Sequence, residues 1–282
     1  MKLLLIHTGG TIGMVPSDEG LTPQAGLVEA AVAARLPAGV DMQQHVFKPL
    51  VDSANLGPTH WNEILDVIDA HPDCPVLVIQ GTDTMAFTGA ALSQALEGLK
   101  RRVVLCASMV PLGAGGDAEG NLSSAIDALL HDKAFGVFLA FNNTLMPARA
   151  VVKHHSYALD SFRTIPQDPM TRPKHRRFGT KRLAIVTLAA GLPAAALAAM
   201  LAELDGAVLR VFGTGTMMSD AGLIAALSQA VDRGVQIRAV SQCEVGSLEP
   251  GTYAAGAALW NTGVQNGGRE TPEAALVHLW LN

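Results

Sequence analysis

The chain has 282 residues, enough for one large domain or two smaller ones. Hydrophobic residues make up 49% and charged residues 16%, which excludes a disordered or fibrous chain. The net charge of -5 argues against a nucleic-acid surface as the main business.

The opening apolar run, Leu3-Leu4-Leu5-Ile6, is shorter than the ~7–15 residues of a signal-peptide core and suits a buried first strand. Strands are predicted at 2–7, 44–47, 76–80, 103–107 and 137–141, with helices between them at 27–35, 59–70, 84–99 and 121–130. Near-continuous apolar strands alternating with helices predict a parallel sheet flanked by helices. The basic, proline-bearing stretch 164–182 reads as a solvated linker, with Pro166, Pro169, Pro173, Arg172, Lys174, Arg176, Arg177, Lys181 and Arg182. A second series follows, with strands at 183–188, 207–211 and 236–240 and helices at 194–204, 221–232 and 272–279. The apolar stretch 183–204 is long enough to span a bilayer, but Gly191-Leu192-Pro193 divides it into strand, turn and helix. The expected organisation is an α/β catalytic domain over 1–163, a linker over 164–182 and a smaller α/β domain over 183–282. Cys74, Cys106 and Cys243 match no metal, redox or disulfide spacing, so a reducing, cytoplasmic setting is expected, away from membranes and nucleic acid.

In an open parallel sheet, ligands bind beyond the carboxyl ends of the strands. The loops there read Thr8-Gly9-Gly10-Thr11-Ile12-Gly13, Val51-Asp52-Ser53-Ala54-Asn55 and Gly81-Thr82-Asp83-Thr84, with Lys153 after the fifth strand. Hydroxyls, carboxylates and one lysine converging on a crevice are the material of nucleophilic acyl transfer. The paired glycines allow a sharp turn and close approach to a substrate. Peptide N–H groups there and at the helix after Asp83 are candidate oxyanion donors. Each feature has a plainer explanation: a strand-to-helix turn for Gly9-Gly10, a helix cap for Asp83, a surface position for Lys153.

The combination resembles the bacterial-type L-asparaginases, threonine amidohydrolases of asparagine and glutamine. The resemblance rests on Thr8-Gly9-Gly10-Thr11-Ile12-Gly13 and Gly81-Thr82-Asp83-Thr84-Met85. It continues through Asp52-Ser53, Pro111-Leu112, Gly120-Asn121-Leu122, Ala150-Val151-Val152-Lys153, Phe212-Gly213-Thr214-Gly215, Ser241-Gln242-Cys243 and Thr271-Pro272-Glu273-Ala274. Local wording is nearest the cytoplasmic type I branch. The resemblance implies that Thr11 forms an acyl ester which water hydrolyses. It assigns Thr82, Lys153 and Asp83 to the second catalytic group. Ser53 and Asp83 would hold the substrate carboxylate and ammonium, beside Asp52, Gly10 and Gly81. It implies a homodimer or homotetramer acting on a small amino-acid amide, with no metal or organic cofactor. Leu21 stands where family members carry a lid tyrosine, and leucine cannot relay a proton. Glu19 and Tyr157 are conceivable replacements. Arg210 and Cys243 fall where a regulatory amino acid could bind; otherwise they are a strand-end arginine and a buried core cysteine.

Two other classes compete with this reading. A dinucleotide-binding oxidoreductase fails because Met218 replaces the third glycine after Gly213-Thr214-Gly215. A weakly active or non-catalytic amino-acid sensor, which kept the pocket and lost the lid phenol, stays open, as does a different amide such as glutamine. No Gly-x-Ser-x-Gly or His-Glu-x-x-His occurs, and the neighbours His154 and His155 lack a third metal ligand.

Overall fold

The computed structural model describes all 282 residues except the side chains of Ala254 and Ala255. Met1–Thr164 and Ile165–Asn282 form two compact units.

In the first unit the chain runs β1 (Lys2–His7), a 3₁₀ turn (Thr11–Gly13), the strands β2 (Met14–Ser17) and β3 (Gly20–Pro23), α1 (Leu27–Ala33), β4 (Asp41–Val46), a second 3₁₀ turn (Ser53–Asn55) and α2 (Pro58–Ala70). It continues with β5 (Val76–Ile79), α3 (Met85–Ala95), β6 (Arg102–Cys106), α4 (Ala118–His131), β7 (Gly136–Phe141), β8 (Thr144–Pro147), a third turn (Ala148–Ala150), β9 (Val151–Lys153) and β10 (Phe162–Thr164). Six strands form one sheet in the order β4-β1-β5-β6-β7-β8. The first five are parallel, and β8 runs antiparallel to β7. Leu3, Leu5, Leu77 and Ile79 pack with Val28 and Val32 of α1 and Leu122 and Ile126 of α4. Leu4, Ile6, Val76 and Val78 alternate to the opposite face and are equally buried. Both faces are therefore apolar, as a covered parallel sheet requires.

The second unit holds β11 (Leu183–Thr187), α5 (Ala194–Ala202), β12 (Gly206–Val211), α6 (Ala221–Asp232), β13 (Gln236–Ser241), α7 (Ala254–Trp260), β14 (Gln265–Asn266) and α8 (Pro272–Leu281). Its sheet, β11-β12-β13-β14, is wholly parallel. The divided reading of 183–204 corresponds to β11 and α5. Among the described residues, no helix is long and apolar enough to cross a membrane.

The predicted elements correspond to strands and helices with ends displaced by a few residues. The helix expected to reach residue 99 stops at Ala95, and Gly98 adopts a φ of 76° as the chain turns. The hairpins β2–β3 and β7–β8, the β9–β10 pair, α7 and β14 are absent from the expected elements. For β7 and β8 a signal existed: Asn142 and Asn143 take φ values of 47° and 55°, the left-handed pair of a tight hairpin turn. The β2–β3 hairpin lacks an apolar face, and all four residues of β3 are exposed, so hydrophobic periodicity had nothing to report.

The basic stretch packs along α8. Ile165 and Phe178 are buried, and His175 N donates to Leu281 O at 2.9 Å. Lys181 Nζ donates to Leu279 O at 2.6 Å and Lys174 Nζ to Asn282 O at 3.4 Å. Lysines here meet the unsatisfied carbonyls and negative dipole end of a helix C-terminus.

Candidate active site

The loops after β1, β4 and β5 are locked together by glycines. Val51 N donates to Thr8 O at 2.6 Å, and a Cβ on Gly9 would collide with the Val51 carbonyl. Gly10 has φ 109°, and a Cβ on it would lie 2.5 Å from the amide nitrogen of Gly81. The Thr11 loop and the Thr82 loop therefore touch backbone to backbone, at a separation no side chain permits. Gly81 in turn faces Ser53, whose Oγ would stand 2.5 Å from an added Cβ. Ser53 is buried; its Oγ accepts from Asp83 N at 3.3 Å, and its carbonyl accepts from Thr84 Oγ1 at 2.7 Å. Asp52 is exposed and caps the turn that presents Ser53, accepting from Ala54 N at 3.0 Å.

Lys153 arrives from a distant part of the chain. Its Nζ donates to Thr82 Oγ1 at 2.9 Å and to Asp83 Oδ1 at 2.6 Å. Pairing of β9 with β10 fixes the strand that ends in Lys153. Gly89, inside α3, lets the helix approach the Ala148–Ala150 turn so closely that a Cβ would sit 2.5 Å from Ala148 O. That contact brings β9 beside the start of α3, where Thr82 lies. Glycine inside a helical pattern signals a close approach, and the sequence reading passed over it.

Thr11 opens its 3₁₀ turn half-buried, and its hydroxyl has no partner among the described residues. Thr8 is different: it is fully buried and its hydroxyl donates to Ile79 O at 3.1 Å, a structural bond. The loop after β6 also supports the Thr11 turn, because Leu112 N donates to Ile12 O at 3.2 Å. That loop hangs on Asp117, which accepts from Met109 N, Val110 N and Asn121 Nδ2, while Asn121 Nδ2 also donates to Ala107 O. Asp117 and Asn121 were not singled out as site residues, because their task depends on a loop fold that spacing does not encode.

Gly10, Ser53, Gly81, Thr82, Asp83 and Lys153 thus stand together at the carboxyl ends of β1, β4 and β5, with Asp52 and Thr11 on the adjoining turns. Other candidates lie elsewhere. Tyr157 is 79% exposed and stacks edge-on against His155. Glu19 is exposed at the hairpin turn, and Leu21 is 50% exposed on β3. Among the described residues, no cluster of His, Cys, Asp and Glu could hold a metal ion.

Two family models match the chain: "Asparaginase, N-terminal" over residues 2–183 and "Glutaminase/Asparaginase C-terminal domain" over residues 182–282. The chain belongs to the asparaginase family. It is 30% identical to L-asparaginase 1 of Escherichia coli (strain K12) over 305 aligned residues, which cover 99% of this chain and 90% of that protein. Among solved structures it is similar to the thermostable L-asparaginase from Thermococcus kodakarensis (TM-score 0.87, 25% identity, 100% of this chain and 92% of that one). It is also similar to L-asparaginase I from Vibrio cholerae (TM-score 0.87, 27% identity, 99% and 92%). This asparaginase-family chain is an amidohydrolase. The two family models meet at residues 182–183, whereas the compact units divide at 164–165. The difference is the basic stretch that packs on α8.

In the second unit, Arg210 Nη2 donates to Gln242 O at 3.4 Å, and its Nε is buried with no partner among the described residues. Cys243 is not the buried core cysteine considered above. It is exposed, because β13 ends at Ser241 and the chain leaves the sheet there. It borders a cavity of about 480 Å³ with Thr214, Ser241 and Arg269.

Proposed function

We propose that this chain hydrolyses the side-chain amide of L-asparagine to L-aspartate and ammonia through an ester on Thr11. The observation that carries the reading is the Lys153–Thr82–Asp83 cluster, set against the Thr11 loop by the Gly10–Gly81 contact.

The chemistry follows from what each group offers. Thr11 Oγ1 adds to the amide carbonyl carbon, and its proton passes to the departing nitrogen. The C–N bond breaks, ammonia leaves, and an ester remains. Water then adds to the ester carbon, the C–O bond breaks, and Thr11 recovers its hydrogen. A lysine ammonium only donates, so Thr82 oxygen accepts from Lys153 and its own hydrogen points elsewhere, toward substrate or water. Asp83 Oδ1 holds Lys153, and Oδ2 is left for the substrate ammonium. Ser53, beside Gly81, is read as the partner of the substrate carboxylate. Peptide N–H groups of the Thr11 loop, preorganised by positive-φ glycines, are suited to a developing oxyanion.

No metal or organic cofactor enters this scheme. The acting form is read as a homodimer or homotetramer, which light scattering of the purified chain tests directly. Three thiols without a disulfide, one of them exposed, fit a cytoplasmic setting. The exposed Leu21 favours a second reading, an amino-acid sensor that binds and does not turn over.

An ammonia-release assay across L-asparagine, L-glutamine and their D-forms separates the readings. Release from L-asparagine that disappears in a folded Thr11→Ala variant is the expected result. Undiminished release in Thr11→Ala removes the nucleophile assignment. Aspartate binding with no release from any amide leaves the sensor.

A further inference from the structure

One buried pair has no task in this scheme. His7 closes β1 and is 1% exposed, and its Nδ1 lies 2.7 Å from Glu29 Oε1 of α1. The chain then passes through Thr8, Gly9 and Gly10 to Thr11. The imidazole lies under the turn that presents Thr11: a Cβ added to Gly13 would stand 3.5 Å from both Cε1 and Nε2 of the ring and 2.9 Å from Val28 Cγ2. Gly13 is thus where the turn passes closest to α1, and it faces the ring at a spacing that a single methyl would fill.

A packing role alone does not account for the pair. Among the described residues, His7 Nε2 and Glu29 Oε2 are both buried without a partner, and unsatisfied buried polar atoms are destabilising. An apolar ring of similar size over an apolar residue would fill the same space without that cost. What the polar pair adds is orientation. A carboxylate at 2.7 Å fixes the plane of the imidazole, which an apolar contact does not. The turn is also tied by Ile12, which is fully buried in the core with Val28 and Val32, and by backbone bonds from Met14 N to Thr11 O, Gly13 N to Gly10 O at 3.1 Å, Leu112 N to Ile12 O at 3.2 Å and Gln24 N to Gly13 O at 2.9 Å.

We propose that His7 and Glu29 are positioning residues for the nucleophile. Glu29 orients the imidazole, and the imidazole edge sets the height of the Thr11–Gly13 turn, and with it the place of Thr11 Oγ1. This rests on the reading of Thr11 as nucleophile. The pair touches no reacting atom. Its effect is expected chiefly in ester formation, because the imidazole faces Gly13 at the far end of the Thr11 turn, while the Gly10–Gly81 contact holds the loops of the proposed binding groups Ser53 and Asp83.

The test uses the full chain with L-asparagine, measuring single-turnover ammonia release, steady-state kcat and KM, and the thermal midpoint. His7→Asn keeps a donor for Glu29 and removes the ring edge beneath Gly13. Glu29→Leu removes the orienting carboxylate, and Glu29→Gln keeps an acceptor for Nδ1. The expected result is ester formation slowed about 10- to 100-fold in His7→Asn and Glu29→Leu, with KM within about threefold of the parent, since small displacements of a reacting group cost rates of that order. Glu29→Gln retains most of the rate. A cavity of about 400 Å³ bordered by His7, Glu29, Phe47 and Leu50 adjoins the ring, so added imidazole restores part of the kcat lost in His7→Gly. Unchanged ester formation in folded His7→Asn and Glu29→Leu overturns the proposal, as does a rate loss that only tracks the folded fraction. Where His7→Asn does not fold, the Glu29 pair of variants and imidazole rescue decide in its place. Thr11→Ala keeps the two failures apart. If Thr11→Ala is inactive while the His7 and Glu29 variants match the parent, only the positioning role falls. If Thr11→Ala is active, the nucleophile reading falls first.

Discussion

Lys153 is a compact ammonium that meets two oxygens on adjacent residues, Thr82 Oγ1 and Asp83 Oδ1. A planar guanidinium has a fixed fork and a longer reach, so it does not reproduce that pair of contacts. Lys153→Met removes the donor while keeping the side-chain length, and Lys153→Arg keeps the charge with the wrong shape. Both are expected to lower kcat for amide hydrolysis by about 10²–10³-fold, the range for loss of one preorganised hydrogen-bond donor. Lys153 is only 20% exposed beside a carboxylate that is 64% exposed, so the stability cost of either change is small. Circular dichroism and ammonia release on the same samples separate loss of catalysis from loss of fold. The residues flagged from sequence for this cluster were found by type and position: a hydroxyl and a carboxylate after one strand, a lysine after another. Their mutual distances were not legible, because 71 positions separate Thr82 from Lys153.

Elements carry these side chains to their places, and α3 shows how. Within a helix, alanine is favoured over glycine by about 1 kcal/mol. At Gly89 that preference is overruled: the added methyl would stand 2.5 Å from Ala148 O and 3.2 Å from Ala148 Cβ. Gly89→Ala therefore must push the Ala148–Ala150 turn away, and β9 with it. The expected outcome is a loss of about 1–3 kcal/mol in urea denaturation, as for other overpacked sites, with kcat falling more than KM changes. A gain in stability with unaltered kcat would show that the turn yields without moving Lys153. The main elements were readable from apolar period and from glycines and prolines, with their ends displaced by a few residues. The exposed β2–β3 hairpin was not, because alternation against water leaves no hydrophobic trace.

Across the whole molecule, the response to pH combines buried groups of opposite sign. Burial holds the His278 imidazole below its ordinary value of 6.5, and Arg238 pushes the same way. In the unfolded chain that ring takes a proton as pH falls through 6.5; in the fold it does so only at lower pH. The unfolded state binds more protons in that window, so stability falls as pH falls through it. Glu273 works in the other direction. Burial raises its carboxyl above the ordinary 4.5, so the folded state binds more protons just above that value and stability falls as pH rises there. His278→Gln is expected to flatten the decline in Tm on the acid side of 6.5. Glu273→Gln is expected to raise Tm at neutral pH and leave it unchanged well below 4.5. Tm measured from pH 4 to 8 on both variants checks the two signs.

The alternation of the main strands and helices, the parallel sheet with two covered faces, and the glycine-threonine loops at its carboxyl edge were determined by the sequence itself. Each is written in spacings of a few residues, and short-range periodicity and backbone freedom act at that range. Only the tertiary structure decided that Lys153 meets Thr82, that Gly10 and Gly81 touch, that Asp117 anchors the loop behind the Thr11 turn, and that His7 pairs with Glu29 beneath it. Those contacts join segments whose separation along the chain is fixed by how whole elements pack, and no local pattern records that distance.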